Sequence, residues 1–441
     1  MKKACIKMVS LLTVGAVSSF MLAGCFGNNS GSGTVLSVPN QGQQYSVRTI
    51  CNQETLPDYE VKSVDDGYIL INNSLVFDNN GNNVYDISDI CGGMEPDTGM
   101  PIIWKESFWS MSGGKIIGGD EDGSYLIDVK SGDKKYSEAV RIIGSYSSDY
   151  YYKDGLFYWK NGEWGVMDED GNEVIPSMYD AISPFDSKGN AVVYSYSERK
   201  YGTIDRENNL VIPMKYSGMA TFDGTYIEST FGSGIYSDDY GATYDYTLTR
   251  TYDKEAENTD DGYIYTTVNR SGETVFDITA AGYTMNQSTF YLGSNLIPVE
   301  KGEVYGFIDM QGNEVIPLKY NGISSGFVNG YAVVRTGSYA GVINTKDETI
   351  IPFQYSSISP FDSRGFAIAT KDSGAKSIID LAGNEIYTSN SAITDSTFAA
   401  STITALGDGY FEINENGVKS VILISTDTGT YETYVPKIYK D

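Results

Sequence analysis

The sequence repeats one phrase, which reads WGVMDEDGNEVIPSMY at residues 164–179 and YGFIDMQGNEVIPLKY at residues 305–320. Looser versions, with a Gly, an Asp or Asn, an Ile-Pro and a closing Tyr, occupy residues 201–216 and 341–355. The Asp or Asn ahead of each turn recurs at intervals of 37, 64, 40, 35 and 36 residues, at Asp168, Asp205, Asn269, Asp309, Asn344 and Asp380. A period of this size indicates a repeat architecture, and fainter copies at both ends raise the number of units to about eight or nine.

Each unit is predicted to be β-structure. Runs of about five apolar and β-branched residues alternate with Asp-Gly-Asn sequences that suit tight hairpin turns. The Gly supplies a positive φ, and the Asp or Asn before it can hydrogen-bond to its own backbone. We expect the Pro to stop the strand, because it has no N–H. No long stretch outside the N-terminus has helical periodicity.

The size of the unit favours one architecture. A sheet of three or four short strands cannot bury both faces alone, so neighbouring units must stack. We predict an all-β fold with antiparallel units arranged as a β-propeller, because repeats of about 35 to 45 residues match the length of a propeller blade. A linear, solenoid-like stack of hairpins is the alternative. The sequence ISPFDS occurs at residues 182–187 and 358–363, and would place Phe185 and Phe361 between blades.

Residues 162–176 read Gly-x-Trp-Gly-x-x-Asp-x-x-Gly-Asn-x-x-Ile-Pro, a phrase that resembles the bacterial WG-containing repeat. The resemblance covers roughly residues 155–390. Only one copy keeps the Trp-Gly pair, since the others have Tyr201, Tyr305 or Ala340 in place of the Trp. The resemblance implies a β-rich repeat array, often found on secreted or surface proteins, with no general enzymatic activity.

Residues 1–24 are predicted to be a lipoprotein signal peptide. Three lysines precede an apolar run at residues 9–21 that is too short for a conventional membrane-spanning helix. The sequence LAGC at residues 22–25 then resembles a bacterial lipobox, in which the signal is cut before the Cys and its thiol carries diacylglycerol. Two or more acyl chains anchor a protein stably. We therefore expect an exported protein, held on the outer face of a bacterial membrane by Cys25.

Residues 25–45 are predicted to comprise the lipidated Cys and a flexible tether rich in Gly, Asn and Ser. The repeat domain is assigned to residues 46–441. The long step in the series places a Tyr-rich insertion at residues 223–262, and insertions in repeat arrays often form the binding face. The candidate ligand-binding residues are Tyr226, Tyr236, Tyr240, Tyr244 and Tyr246, since Tyr combines a large contact area with a polar group. The alternative is a degenerate blade with an extended hairpin whose tyrosines pack on one another.

Composition restricts the possible partners. The 31 basic and 58 acidic residues give a net charge of −27, and loss of the three leader lysines makes it −30. Such a surface repels nucleic acid and anionic lipid. Cys51 and Cys91 remain after the leader's Cys5 and the lipidated Cys25, and a disulfide between them is permitted outside the cytosol. The sequence leaves that pairing open.

The chain contains no histidine, which removes the usual general base, the Ser-His and Cys-His pairs and most zinc sites. The repeated Asp residues are explained by their turns. The acidic loops at residues 168–172 and 120–124 look like calcium loops but lack the distant bidentate Glu. We therefore predict no catalytic residue, no metal site and no cofactor.

These observations together favour a membrane-anchored extracytoplasmic binding or scaffolding module. It would recognise a protein or carbohydrate of the cell envelope through its repeat loops and would not bind nucleic acid. The alternative is an envelope enzyme that hydrolyses glycans with a pair of carboxylates.

Overall fold

The structure, a computed structural model, describes residues 36–53, 56, 59–86, 106–146, 150–222, 244–255, 262–285, 293–389, 402–415 and 417–426. The described residues form nine antiparallel sheets, of which eight have four strands and one has three. Several positions that the sequence singles out lie outside these ranges, namely Cys25, Cys91, Tyr226, Tyr236 and Tyr240.

We number the sheets as blades 1 to 9 along the chain. Blade 1 consists of β2 Val61–Asp65, β3 Tyr68–Ile71, β4 Leu75–Phe77 and β5 Asn83–Asp86. Blade 2 consists of β6 Glu106–Ser112, β7 Lys115–Asp120, β8 Gly123–Asp128 and β9 Lys134–Tyr136, and helix α1 Glu138–Tyr146 follows it. Blade 3 consists of β10 Tyr150–Lys153, β11 Leu156–Asn161, β12 Glu163–Asp168 and β13 Glu173–Tyr179. Blade 4 consists of β14 Ala181–Ile182, β15 Ala191–Ser195, β16 Lys200–Ile204 and β17 Leu210–Tyr216.

The second half of the chain repeats this plan. Blade 5 consists of β18 Gly218–Met219, β19 Tyr246–Tyr252, β20 Tyr263–Asn269 and β21 Thr274–Asp277. Blade 6 consists of β22 Leu296–Lys301, β23 Val304–Asp309 and β24 Glu314–Tyr320, preceded by a 3-10 turn at Gly293–Asn295. Blade 7 consists of β25 Gly322–Val328, β26 Tyr331–Thr336, β27 Tyr339–Asn344 and β28 Thr349–Tyr355. Blade 8 consists of β29 Ser357–Ile358, β30 Phe366–Thr370, β31 Lys376–Asp380 and β32 Glu385–Thr388.

Blade 9 is built from both ends of the described chain. It consists of β33 Thr402–Gly407, β34 Tyr410–Glu415 and β35 Val418–Ser425, completed by β1 Ser46–Asn52. Strand β1 pairs with β35 over its whole length, from Ser46 opposite Ser425 to Asn52 opposite Ser420. The N-terminal strand of the domain therefore supplies the fourth strand of the last blade.

Buried apolar side chains form nine clusters in the described residues, one at each junction between neighbouring blades. The cluster that contains Phe77, Tyr410 and Leu423 joins blade 9 to blade 1. An open stack would leave the outer faces of its end blades without such a partner. The described body is therefore a closed, nine-bladed β-propeller, which confirms the predicted fold and rules out the linear stack. Phe185 and Phe361 lie between blades, as predicted.

The predicted turn chemistry is confirmed between the third and fourth strands. In blade 3, Asp168 Oδ1 accepts hydrogen bonds from the N–H groups of Asp170 and Asn172, at 3.0 and 2.8 Å. The Asn172 amide donates to Asp168 Oδ2 at 2.8 Å, and Gly171 has a φ of 83°. The same Asp and Asn pairing occurs in four other blades, at Asp78, Asp205, Asp309 and Asp380.

Blades 5 and 7 exchange the two chemistries within the turn. Their turns begin with Asn269 and Asn344, whose amides donate to Glu273 at 2.7 Å and to Glu348 at 2.6 Å. The Asn Oδ1 atoms accept the backbone N–H groups that Asp accepts elsewhere. Each of these turns therefore has one carboxylate and one amide, so that both side chains are paired.

A glycine in the third strand faces a bulge in the fourth strand. In blade 3, Trp164 pairs with Tyr179 and Val166 with Ile175, so Gly165 alone stands opposite three residues of β13. A Cβ atom on this glycine, or on its equivalents, would lie 2.5 to 2.8 Å from a carbonyl oxygen of the fourth strand. The four positions are Gly165, Gly202, Gly306 and Gly341. The Gly of the repeated phrase is thus required by a close backbone approach.

The expectation that the Pro ends its strand is wrong. Pro176 is the fourth of seven residues in β13, which continues to Tyr179. The strand lies at the edge of its blade and is bulged at the Pro, so the missing N–H removes no regular ladder bond. An exposed Pro on an edge strand also hinders pairing with another sheet.

The closing Tyr of the phrase connects each blade to the next one. Its ring is buried, and its hydroxyl approaches the turn of the following blade at the residue with positive φ. The contacts run from Tyr179 to Asn208 Oδ1 at 2.8 Å, from Tyr216 to Gly272 O at 3.4 Å, and from Tyr320 to Asp347 Oδ1 at 2.5 Å. One repeat unit therefore positions its neighbour.

Residues 36–45, the last part of the predicted tether, lie against blades 7 and 8. The N–H of Leu36 donates to Asn329 O at 3.2 Å, and the Tyr331 hydroxyl donates to Leu36 O at 2.6 Å. Tyr45 donates to Asp380 Oδ2 at 2.9 Å, within the turn of blade 8. This segment leads directly into β1 and fixes the approach of the closing strand.

Helix α1 fills the junction between blades 2 and 3 with Ala139, Val140 and Ile143. Ser137 caps it, since the Val140 N–H donates to Ser137 Oγ at 3.3 Å. Within the described ranges, no helix combines the length and apolarity needed to cross a bilayer.

The glycine contact predicts a sharp difference between two Gly→Ala substitutions. Gly306→Ala places its Cβ 2.5 Å from Ile316 O, whereas Gly322→Ala meets only flexible Arg335 atoms at 3.5 Å or more. We expect Gly306→Ala to lower the free energy of unfolding by about 1–3 kcal/mol, the usual cost of overpacking. Gly322→Ala is the control and should change it by less than about 0.5 kcal/mol. Urea denaturation measures both, and equal effects would contradict the close approach.

The turns predict a rescue by charge exchange. Asp168→Asn leaves two amides facing each other, and we expect a loss of about 1 kcal/mol in the free energy of unfolding. The double variant Asp168→Asn/Asn172→Glu recreates the turn of blade 5, so its stability should return to within about 0.5 kcal/mol of the original. If the double variant is as unstable as the single one in urea denaturation, the proposed pairing does not stabilise the turn.

Candidate functional site

The two ends of the blades differ in their connections. Successive strands are antiparallel, so the loops between first and second strands and the turns between third and fourth strands leave at one end. We call this the loop end. The hairpins between second and third strands leave at the opposite end, which we call the hairpin end. The repeated Asp turns and the start of β1 therefore belong to the loop end.

The predicted Tyr-rich insertion is divided between a strand and two connections. Strand β19 lies inside residues 223–262 and is the second strand of blade 5. Tyr244 is only 3% exposed, and Tyr246 packs against the cluster between blades 5 and 6. These two side chains thus act in packing. Tyr226, Tyr236 and Tyr240 lie in residues 223–243, outside the described residues, so their binding role stays a prediction.

Arg270 joins the two residues that flank this segment. The Tyr244 N–H donates to Phe222 O at 2.6 Å, so the chain enters and leaves at one place. Arg270 donates from Nε and Nη2 to Tyr244 O at 3.1 and 2.8 Å, and its guanidinium lies 4.3 Å from the centre of the Phe222 ring. Its Nη1 lies 2.8 Å from both Asp186 Oδ2 and Asn190 Oδ1 in blade 4. The segment therefore rises from a rigid base at the loop end.

The predicted cysteine pair is described at one position only. Cys51 is buried in the cluster between blades 9 and 1, on the closing strand β1. Burial raises the pKa of its thiol to about 12. Cys91 lies outside the described residues, so the disulfide stays a prediction. The same holds for the lipid on Cys25.

Carboxylates at the loop end link the first loops of successive blades. Each accepts a hydrogen bond from a glycine N–H of the next blade, across the region where the ring closes. The pairs are Asp362 Oδ2 with Gly409 at 2.8 Å, Asp408 Oδ2 with Gly67 at 3.0 Å, and Asp65 Oδ2 with Gly114 at 2.9 Å. We call this set the loop clasp.

Burial raises the pKa of Asp65 and of Asp362 above the usual carboxyl range. A raised pKa would suit a general acid. Both oxygens of Asp362 are occupied, however, since Oδ1 accepts the N–H groups of Arg364 and Phe366 and Oδ2 accepts that of Gly409. The loop clasp accounts for these carboxylates as structural groups. In the part of the chain that the structure describes, no cluster of three or more Cys, Asp and Glu side chains is arranged to hold a metal ion.

The hairpin end bears the exposed tyrosines. Four tyrosines of the described residues are more than one-third exposed, and all four lie at this end of their blades: Tyr136 at 48%, Tyr196 at 63%, Tyr252 at 56% and Tyr339 at 39%. Trp164 and Tyr305 are half-buried at the same end. Every blade from 2 to 7 thus presents one accessible aromatic side chain there. We call these six residues the aromatic arc.

Carboxylates lie beside several members of the aromatic arc. The Tyr136 hydroxyl donates to Asp120 Oδ2 at 3.1 Å, and the Tyr339 hydroxyl donates to Asp372 Oδ2 at 2.8 Å. Hydrogen bonding to Glu300 raises the pKa of the Tyr305 phenol. These partners hold the rings in place and leave carboxylate oxygens beside them at the surface.

Sequence reasoning did not identify the aromatic arc, because its members do not share one position in the repeat. Trp164 and Tyr305 occupy the Trp position of the phrase, but Tyr196 and Tyr252 end second strands. Tyr136 comes from a fourth strand. Only the three-dimensional arrangement of the blades brings them to one end.

Four segments of the chain match the model of the WG containing repeat, at residues 164–194, 201–224, 305–339 and 341–373. They start at the third strands of blades 3, 4, 6 and 7, each with the bulged fourth strand. The chain thus contains four WG repeats. No curated protein matches this chain.

Several solved structures align with most of the chain at low identity. One titled eukaryotic initiation factor is 9% identical with a TM-score of 0.41, covering 81% of this chain and 89% of its own. BamB from Moraxella catarrhalis is 11% identical with a TM-score of 0.30, covering 82% and 96%. The Dos1 propeller is 12% identical with a TM-score of 0.33, covering 73% and 95%. The strand pairing and the closed ring of clusters, rather than these similarities, define the fold.

Arg270 predicts the effect of an unpaired buried charge. Arg270→Met leaves the Asp186 carboxylate, whose side chain is 4% exposed, without its cation. We expect the free energy of unfolding to fall by about 3–5 kcal/mol. The double variant Arg270→Met/Asp186→Asn removes the charge as well and should recover at least half of that loss. A double-mutant cycle in urea measures the coupling, and purely additive effects would contradict it.

Proposed function

We propose that this protein is a membrane-anchored, extracytoplasmic binding or scaffolding module that recognises a protein or glycan of the cell envelope. The β-propeller is a fold often used for binding or scaffolding, and function on such a scaffold resides in the surface it presents. The observation that carries the proposal is the division of the body into two ends. The loop end spends its polar groups on closing the ring, while the hairpin end presents the aromatic arc to solvent.

The lipobox at residues 22–25 supports the location. The described chain enters the body at Leu36, which is hydrogen-bonded to Asn329 in the first loop of blade 7. A lipid on Cys25 would therefore be connected to the loop end, opposite the aromatic arc. The net charge of −27 opposes binding to nucleic acid and to anionic lipid surfaces. Under this proposal, lipid chains rather than charge hold the protein on the membrane.

The alternative is a glycan-active enzyme that uses two carboxylates. The raised pKa values of Asp65 and Asp362 favour it. Their hydrogen bonds to backbone N–H groups favour a structural role, as argued above. Turnover of envelope glycans, measured alongside binding, distinguishes the two functions.

The proposal predicts two results from one set of variants expressed in a bacterial host. The original chain should sediment with membranes and carry acyl chains on Cys25 by mass spectrometry, whereas Cys25→Ala should be released. The purified Cys25→Ala body should then capture a defined protein or glycan from native envelopes and release no reducing sugar. An unacylated Cys25 would contradict the anchor, and sugar release without stable capture would favour the enzyme.

A matched pair of variants assigns the segment at residues 223–243 in the same assay. Tyr226, Tyr236 and Tyr240 are changed to Ala in one variant, and Ser229, Ser233 and Ser237 in the control. Deleting all of residues 223–262 is unsuitable, because it removes β19 from blade 5. If the tyrosines bind, capture should fall at least tenfold in the first variant alone. Equal capture by both variants would exclude them from the site.

A further inference from the structure

The aromatic arc is a repeating surface. It offers one accessible aromatic ring per blade over six consecutive blades, from Tyr136 in blade 2 to Tyr339 in blade 7. At the opposite end, the exposed large side chains of fourth strands are aliphatic: Val84, Leu210 and Val315. Among the described residues, exposed tyrosines are thus confined to one end, although the same repeat builds both. Chance distribution of surface tyrosines does not explain this restriction.

Each ring in the arc comes with polar groups of the same kind. Asp120 lies beside Tyr136 and Asp372 beside Tyr339, at hydrogen-bond distance. In blade 4, the Tyr196 N–H donates to Asp180 Oδ2 at 2.5 Å. A flat apolar ring next to a carboxylate acceptor matches a sugar, which has an apolar C–H face and hydroxyl donors at its rim. The surface repeats this combination along the ring.

The arrangement suits a repeating polymer better than a folded protein. Protein interfaces have a contiguous apolar core surrounded by a polar rim. The rings of the arc instead belong to separate blades, and charged side chains such as Lys160, Arg199 and Lys301 stand in the hairpins between them. A polymer of identical units can contact one ring after another, and its weak contacts add up through avidity.

Charge selects the class of polymer. The hairpins carry both signs, as with Lys160 and Glu163 in blade 3 or Lys371 and Asp372 in blade 8. Carboxylates beside the rings repel anionic polysaccharides, and so does the net charge of −27. A neutral polysaccharide avoids this repulsion and can donate its hydroxyls to the carboxylates.

We propose that the aromatic arc is a binding surface for an extended neutral polysaccharide, which lies across the hairpins of blades 2 to 7. This inference rests on the proposed binding function but places the site at the hairpin end, away from the segment at residues 223–243. It involves no chemical step. Binding comes from stacking on the rings and from hydroxyls that donate to Asp120, Asp180 and Asp372.

The test uses the full body with Cys25→Ala and a panel of soluble polysaccharides in affinity electrophoresis and calorimetry. The neutral probes are dextran, mannan, hydroxyethyl cellulose and oligomers of N-acetylglucosamine, and alginate is the anionic probe. We expect at least one neutral polymer to bind, with affinity that rises at least tenfold from its short fragments to long chains. Alginate should not bind.

Two matched triple variants locate the site. Tyr196→Ala/Tyr252→Ala/Tyr339→Ala should weaken binding by roughly threefold to tenfold for each ring removed, in line with the strength of aromatic contacts. The control, Val84→Ala/Leu210→Ala/Val315→Ala, removes exposed side chains at the loop end and should bind as the original does. Both variants should keep the thermal midpoint, because all six side chains are exposed.

Each other outcome overturns the inference in a distinguishable way. If envelope capture persists but no neutral polysaccharide binds, the surface serves another ligand and only this inference fails. If a polysaccharide binds equally to both triple variants, it binds away from the arc. If neither capture nor polysaccharide binding occurs, the proposed binding function fails as well.

Discussion

The pairing of β1 with β35 is the constraint on which the rest of the structure depends. No blade can bury both of its faces alone, so each of the nine clusters needs two blades. Without β1, blade 9 would lose its fourth strand, and the cluster toward blade 1 would lose Ile50 and Cys51. The loop clasp lies at the same place and adds hydrogen bonds from Asp408 to Gly67 and from Asp362 to Gly409. Closure therefore combines a strand, a core and buried polar groups.

The repeated phrase encodes contacts between blades as much as the blade itself. Its Gly makes room for the bulge, its Pro sits in that bulge on an exposed edge, and its closing Tyr reaches the next turn. The turn in turn requires an amide and a carboxylate, which explains why Asp168 is followed by Asn172 but Asn269 by Glu273. Divergence within the phrase is thus limited by the partner across the junction.

The sequence was sufficient to predict the repeat, the turns and the propeller, because these depend on local spacing and on chemistry that recurs. It placed Phe185 and Phe361 between blades for the same reason. It could not show ring closure, since the partner of β1 lies at the other end of the chain. It also assigned Tyr244 to binding, although this side chain is buried beside Arg270. Composition does not distinguish a tyrosine that packs from one that is exposed.

The same physical reason separates structure from function in this molecule. At the loop end, Asp and Asn side chains are held by backbone N–H groups and by each other, so a change there disturbs a turn or the clasp. The hairpin end has no such duty, since a hairpin needs only its strand pairing. Tyr196 and Tyr252 can therefore be exposed at little cost to stability. A surface that stability does not determine is the one on which binding can select residues, and in this propeller that surface carries the aromatic arc.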